Sequence, residues 1–389
     1  MKRRVFAFLA VSLGCLLAVR PAVGQADKDE GADPPAGQEA ESPAEDGEEQ
    51  GSEQEGEQEE DEKEDGLPDW LKRLKISGLA FGDFYWFASH HNPEIEGANG
   101  FWMRRIYLTF DYNIADDLDF RLRFEARSVG SPLAPPLNMN PFVKDAWIRW
   151  SPGNHMLFFG LSSTPTWDDI ESIWGYRDVK KTPLDLYRMG ASRDFGLTGR
   201  GKIGPGKNIQ YYIVVGNGAS TRSESNRGKA AYGAFAFTPG DFFFQVYGDY
   251  NNLSGGNFAT AQFFGSWSVD GGRIGVQYAH QQRNRDAPDQ DDFELNMLSL
   301  FGVWVASERL AVLARYDRMF DPNPFGPLIA YLPMDPNARS NLLILGFDVT
   351  IVKQFHIIPS FDTVIYDAVG DEEAPDTDFV PRLTFSVTF

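Results

Sequence analysis

Residues 119–127 read Asp-Phe-Arg-Leu-Arg-Phe-Glu-Ala-Arg, a strict alternation of charged and apolar side chains. Successive side chains of a β-strand point to opposite faces, so this segment predicts a strand with one apolar and one charged face. The same alternation recurs in six further segments, 105–112, 208–216, 241–250, 272–283, 310–317 and 382–389. The repetition predicts an all-β protein.

Sixteen segments fit this period, and together they predict a sixteen-stranded antiparallel transmembrane β-barrel. They are 76–87, 101–114, 118–128, 142–151, 155–162, 194–203, 208–217, 229–238, 241–251, 259–269, 272–283, 292–306, 308–320, 339–351, 354–367 and 379–389. An even number of strands places both ends of a barrel on the periplasmic side. Closure also gives every backbone donor and acceptor in lipid a partner.

The links between these segments alternate in length, which favours a membrane barrel over a soluble sandwich. Residues 88–100 and 129–141 form long links, whereas 115–117 and 152–154 form short ones. Membrane barrels combine short periplasmic turns with long extracellular loops. The two ends of a sandwich have no reason to differ so systematically.

Three regions are predicted along the chain. Residues 1–24 have a basic start, an apolar stretch and small residues before a cleavage point, which predicts a secretory signal peptide. Residues 25–66 are acidic and contain no aromatic residue, which predicts a disordered periplasmic linker, either a spacer or a segment that binds a periplasmic partner or divalent cations. Residues 67–389 form the barrel domain, and the predicted location is the outer membrane of a Gram-negative-type bacterium.

Charge and motif content exclude several classes of protein. The formal net charge is -20, and residues 27–66 hold 19 acids against two lysines, so a basic surface for nucleic acid is excluded. No run of 18 apolar residues follows the N-terminal segment, which excludes helical membrane spans. The single cysteine, Cys15, lies in the signal peptide. A phosphate-binding glycine loop, a nucleophile elbow and a zinc-protease motif are all missing, so we predict neither an enzyme nor a cofactor.

The end of the chain and the aromatic residues carry further signals. Residues 383–389, Leu-Thr-Phe-Ser-Val-Thr-Phe, resemble the final-strand signal presented to the barrel assembly machinery, a predicted partner. Aromatic residues near strand ends predict interfacial girdles, or alternatively a ladder that stacks a sugar in the lumen. They are Tyr85, Trp86, Phe87, Phe101, Trp102, Trp147, Trp150 and Phe242 to Phe244.

Residues 144–201 resemble the phosphate-selective porin family, the O and P type porins. The resemblance rests on Lys-Asp-Ala-Trp-Ile-Arg-Trp at 144–150, Gly160, Trp167, Glu171 and Trp174, Ser-Arg-Asp-Phe-Gly-Leu at 192–197, and Gly199. It implies a homotrimeric porin whose third loop folds into the pore, and here the third loop, 163–193, is the longest.

Parity along the strands predicts which charged side chains line the lumen. Five arginines of the second to fourth strands form a concentrated wall that offers bidentate hydrogen bonds to oxyanions. Alternatively, they pair with acids across adjacent strands and stiffen the barrel. The predicted anion-binding, pore-lining residues are Arg105, Arg121, Arg123, Arg127, Arg149, Lys180, Lys181 and Arg200, the two lysines being candidates for the constriction.

No metal site is predicted. His90 and His91 lie near Glu94 and Glu96, but adjacent histidines are expected to point in different directions. The acidic loops at 286–292 and 367–378 lack the ordered spacing of a calcium site, and we expect them to meet cations at the lipopolysaccharide surface of the outer-membrane lipid.

Three functional hypotheses remain. The first is a porin for passive diffusion of small inorganic anions, including phosphate. The second is a general or sugar-permeable porin, and the third is a closed barrel that anchors a periplasmic partner to the outer membrane.

Overall fold

The computed structural model describes residues 68–389, except residues 136, 166, 254 and 287–290. The predicted signal peptide, and the linker at 25–66, lie outside the described residues. Within the described ranges, no helix is long and apolar enough to cross a membrane.

Sixteen antiparallel strands close into a barrel, as the alternation predicts. Each strand pairs with its neighbours in the sequence, and β1 pairs with β16 to complete the circle. The strands are β1 Leu74–Trp86, β2 Asn99–Ala115, β3 Leu118–Ala126, β4 Phe142–Trp150, β5 His155–Ser163, β6 Arg193–Ile203, β7 Ile209–Gly216, β8 Ala230–Phe237, β9 Phe242–Leu253, β10 Gly256–Val269, β11 Gly272–Arg285, β12 Phe293–Ser307, β13 Leu310–Met319, β14 Arg339–Val352, β15 Phe355–Asp367 and β16 Asp378–Thr388. Every predicted strand is confirmed to within about three residues of its bounds.

Helices are few and short. Helix α1, Asp69–Lys72, precedes the barrel, while α2, Trp167–Trp174, and α3, Pro183–Leu186, lie in the third long loop. A single turn of 3-10 helix, Gly326–Leu328, lies in the seventh long loop. We call the links at 164–192 and 320–338 loop 3 and loop 7.

The outer face of the barrel is apolar and the inner face is polar or filled by loops. Outward side chains such as Leu197, Ile213, Val246 and Ile274 are 48–64% exposed. In a hydrocarbon environment such side chains are favourable rather than costly, because lipid takes the place of a second apolar layer.

The seam of the barrel joins the two ends of the domain. The backbone N–H of Gly78 donates to the carbonyl of Phe389 at 2.8 Å, and the N–H of Phe389 donates to Gly78 at 3.1 Å. A Cβ at Gly78 would collide with the ring of Phe389. The last aromatic residue of the chain therefore packs across a position that only glycine can occupy without displacing it.

Candidate functional site

Loop 3 lies against the inner face of the barrel rather than outside it. Trp174, Tyr187 and Met189 are at most 1% exposed. The ring of Trp174 meets Phe301 of β12 edge-on, with centroids 5.2 Å apart. Arg315 of β13 donates to the carbonyl of Lys181 at 2.6 Å. Loop 3 therefore narrows the lumen. Its apolar face packs on the wall formed by β12 and β13, and its polar face points toward strands β2 to β6.

A buried cluster of charges fastens loop 3 to the wall. The Lys180 ammonium lies 2.6 Å from Asp362, which also accepts Arg382 Nε at 2.8 Å. Arg382 Nη1 donates in turn to Asp83 at 2.9 Å. Lys180 is 2% exposed and its charge is engaged by Asp362, so this predicted pore residue is an anchor of the loop. Lys181, the second predicted lysine, pairs with Asp185 at 2.7 Å and its side chain is 19% exposed.

Among the described residues, three spaces lie next to loop 3 or loop 7 inside the barrel, and a further small pocket lies against β6 to β9. The vestibule toward the short turns measures about 550 Å³, and the one toward the long loops about 620 Å³. A third space of about 10 Å³, that of a single water, shares lining residues with both vestibules, and we call it the passage. The passage shares Arg177 with the first vestibule and shares Lys181, Leu186 and Tyr331 with the second.

Basic side chains dominate these three spaces. Four acids line them within the described residues, Asp145, Asp168, Glu171 and Asp185. Thirteen bases line them, Arg104, Arg105, Arg121, Arg123, Arg127, Lys144, Arg149, Arg177, Lys180, Lys181, Arg188, Arg193 and Arg200. Among the described residues the passage itself is lined by five of these bases and by no acid. Each of the five bases of the passage is also paired with a carboxylate of the wall or of loop 3, so the surface of the passage is basic while its charge is partly balanced from behind.

The predicted arginines of the wall all face the lumen, and each is held by a carboxylate. Both alternatives from the sequence therefore hold in part, because the arginines pair with acids and, except for the buried Arg105, keep 24–51% of the side chain exposed in the lumen. The closest pairs are Arg105–Glu125 at 3.0 Å, Arg121–Asp111 at 2.6 Å, Arg123–Asp145 at 3.1 Å, Arg149–Asp119 at 2.6 Å, Arg200–Asp168 at 3.7 Å and Arg127–Glu125 at 4.0 Å. Arg127 is the least constrained, with half of its side chain exposed.

The alternation of side chains along β2 does not predict that Arg104 faces the lumen. Phe81 pairs with Arg105 and Gly82 with Met103, so Arg104 is an extra residue that forms a β-bulge. Both Arg104 and Arg105 are consequently buried inside the barrel, 4% and 3% exposed. Two adjacent arginines in a strand are the only hint of this in the sequence, and alternation alone assigns them to opposite faces.

The aromatic residues do not all form girdles. Phe101, Trp150 and Phe242 are exposed on the outer face, as a girdle requires. Tyr85 instead stacks on Trp102 inside the barrel, with ring centroids 3.6 Å apart, so the girdle interpretation is wrong for this pair. Trp147 also faces inward, but the guanidinium carbons of Arg121 and Arg149 lie 5.2 and 5.7 Å from its ring centroid and it is 8% exposed. A covered ring of this kind offers little surface for stacking a sugar.

His90 and His91 do come together with Asp378, contrary to the expected divergence. Their rings stack at 4.3 Å, and His91 Nδ1 lies 3.0 Å from the Asp378 carboxylate. However, the backbone N–H of Asn92 donates to His90 Nδ1 at 3.0 Å, which leaves the proton on Nε2. Burial lowers the pKa of His90, although Asp378 opposes the shift, so this ring is neutral.

A neutral ring with its proton on Nε2 donates to the carbonyl of Pro333 at 3.3 Å, so neither ring nitrogen of His90 offers a metal a free lone pair. Nearly parallel rings also cannot both place one ion in their planes. The cluster therefore fits a hydrogen-bonded clasp better than a metal centre. It joins the first long loop to the start of β16.

Comparisons with known proteins agree with the architecture. The chain is similar to the anion-selective porin from Comamonas acidovorans, with a TM-score of 0.60 at 10% identity over 81% of this chain and 99% of that one. It is also similar to the outer membrane channel DcaP of Acinetobacter baumannii, with a TM-score of 0.58 at 14% identity over 81% and 97%.

A third similar structure is Salmonella typhi OmpF, solved as a complex with daunomycin, with a TM-score of 0.57 at 12% identity over 81% of this chain and 97% of that one. The fold is that of the outer-membrane porins. No protein-family model and no curated protein matches the chain. The likeness therefore concerns the sixteen-stranded barrel and leaves the solute to be argued from the site.

Proposed function

We propose that this protein is an outer-membrane porin for passive diffusion of small anions. The observation that carries the proposal is the passage, whose described lining contains five basic side chains and no acid. In a low-dielectric throat, fixed positive charges lower the energy of an anion and raise that of a cation. The apolar outer belt and the closed sheet support a location in the outer membrane.

Several features of the proposal go beyond the fold. Phosphate is included among the solutes because guanidinium groups bind oxyanions through paired hydrogen bonds. Trimeric assembly is proposed from the family resemblance. We also propose contacts with lipopolysaccharide and the barrel assembly machinery, and no enzymatic activity.

The reversal potential of the refolded full-length protein in a planar bilayer tests this function. Under a KCl gradient we expect a potential of the sign that chloride permeation produces, and added phosphate is expected to reduce the current. Potassium selectivity would contradict the anion porin and leave a general channel. Absence of conductance would leave a closed barrel that acts as an anchor.

A further inference from the structure

Loop 7 also enters the barrel, and Tyr331 is the residue by which it reaches β2, four strands from β14 around the barrel. Tyr331 is 3% exposed, and its backbone N–H donates to the carbonyl of Gly130 at 2.6 Å. Its hydroxyl lies 3.1 Å from the carbonyl of Arg104 and 3.0 Å from that of Ser128, and accepts Arg105 Nη1 at 3.4 Å. Loop 7 starts between β13 and β14, so these contacts span several strands of the wall.

The backbone of Tyr331 is strained. Its φ is +70°, in the left-handed region that a bulky side chain adopts only when its surroundings enforce it. Residues held in such conformations cluster at functional sites. The enforcing contacts here are the hydrogen bond to Gly130 and the donation by Arg382 Nη2 to the carbonyl of Tyr331.

The ring and hydroxyl of Tyr331 act on the bulged arginine pair. The guanidinium carbon of Arg104 lies 5.0 Å from the ring centroid, and that of Arg105 lies 6.0 Å away. A cation held over an aromatic face is stabilised without losing its charge. Each guanidinium group also pairs with a carboxylate, Arg104 with Asp83 at 3.4 Å and Arg105 with Glu125 at 3.0 Å.

The Nε groups of both arginines are buried without a hydrogen bond, and that of Arg105 lies 3.0 Å from Glu125. A desolvated donor without a partner is costly, and such groups in native structures call for an explanation. Oxygens of Asp83 and Glu125 beside these arginines are also buried without a hydrogen bond, so the whole cluster next to the passage is incompletely satisfied.

We propose that Tyr331 is a specificity-determining residue of the pore. Its ring and hydroxyl hold the two guanidinium groups at the passage, beside the carboxylates with which they pair, so that part of their charge acts on the permeating ion. The inference rests on the proposed function as an anion porin. In this proposal loop 7, as well as loop 3, lines the constriction.

The test is the replacement Tyr331→Gly in the full-length protein, measured by reversal potential under a KCl gradient. Glycine adopts a φ of +70° without strain, so the backbone bonds to Gly130 and Arg382 are retained while the ring and hydroxyl are removed. We expect the chloride-to-potassium permeability ratio to fall by about threefold or more, and the conductance to rise. Tyr331→Phe keeps the ring and is expected to give a smaller fall.

Tyr316→Phe is the matched control, because its hydroxyl bonds to Asn341 at 2.8 Å on the outer face of the wall. Its permeability ratio should equal that of the wild type. A wild type that is not anion-selective would remove the proposed function itself. An anion-selective wild type whose ratio is unchanged in Tyr331→Gly would overturn the inference alone, even if the conductance rose. If the glycine variant does not fold, an unchanged ratio in Tyr331→Phe decides against the inference.

Discussion

Replacing Asp362 by asparagine is expected to release loop 3 from the barrel wall. Asp362 holds Lys180 of the loop and Arg382 of β16, and Arg382 and Arg104 share Asp83. The cluster thus contains three cations and two carboxylates, all at most 4% exposed. Asp362→Asn leaves three buried cations with one carboxylate, whereas Lys180→Met leaves two of each.

This difference in the balance of buried charge determines how much each substitution is expected to destabilise the closed position of loop 3. Removing one partner of a buried ion pair costs about 3–5 kcal/mol, because the remaining charge stays desolvated. We expect that full cost for Asp362→Asn. For Lys180→Met we expect about 1–3 kcal/mol, the cost of a lost hydrogen bond to a charged group, since the remaining charges stay balanced. A change of 3 kcal/mol in the free energy of loop opening raises the open population about 100-fold.

Hydrogen exchange measured by mass spectrometry on peptides from loop 3 reads this opening directly. Exchange of the amides at 174–187 should quicken about 100-fold or more in Asp362→Asn and less in Lys180→Met. Asp119→Asn is the control, because Asp119 pairs with Arg149 on the wall away from the loop. Equal exchange in Asp362→Asn and the wild type, or faster exchange in Lys180→Met than in Asp362→Asn, would refute the charge-balance reasoning.

Three further predictions concern the barrel wall, the lumen and the first loop. Gly82→Val should lower the fraction of folded protein on a gel that separates folded from heated barrels, because its Cβ would lie 2.3 Å from the backbone carbonyl of Trp102, whereas Gly233→Val, whose Cβ meets nothing within 4 Å, should fold like the wild type. Glu125→Gln should raise the chloride-to-potassium permeability ratio by about twofold, because it frees the charge of Lys144, 3.0 Å away, and a lower ratio in bilayer recordings would contradict this. Zinc titration should give the same heat for the wild type and for His90→Gln, since His90 presents a proton and not a lone pair; a saturable heat that is lost in the variant would show that the tautomer is wrong.

The barrel itself was predictable because a period of two is a local property of the chain. Every strand is built from side chains that alternate between lipid and lumen, so the sequence predicts both the element and the face. The lumen positions of Arg121, Arg123 and Arg149 follow directly from that alternation. Their partners were also foreseeable, since acids lie opposite them on adjacent strands.

The remaining features of the site depend on contacts that have no period. Lys180 bonds to Asp362, which is 182 residues away in the sequence, and His91 bonds to Asp378, which is 287 residues away. Tyr331 lies in a loop whose inward path is set by its own buried contacts. Arg104 was missed for a different reason, because one inserted residue breaks the parity on which the prediction depends.

The bulge at Arg104 also has a consequence for how such a pore can vary. In a regular strand, losing one residue turns every following side chain to the opposite face and ruins the barrel wall. At Arg104 the loss of one residue would restore regular pairing, since Phe81 and Gly82 already pair with the residues on either side of it. A short deletion there would remove one guanidinium from the passage and leave the rest of the wall in register. Related barrels can therefore change the charge of their narrowest point through chain length as well as through substitution.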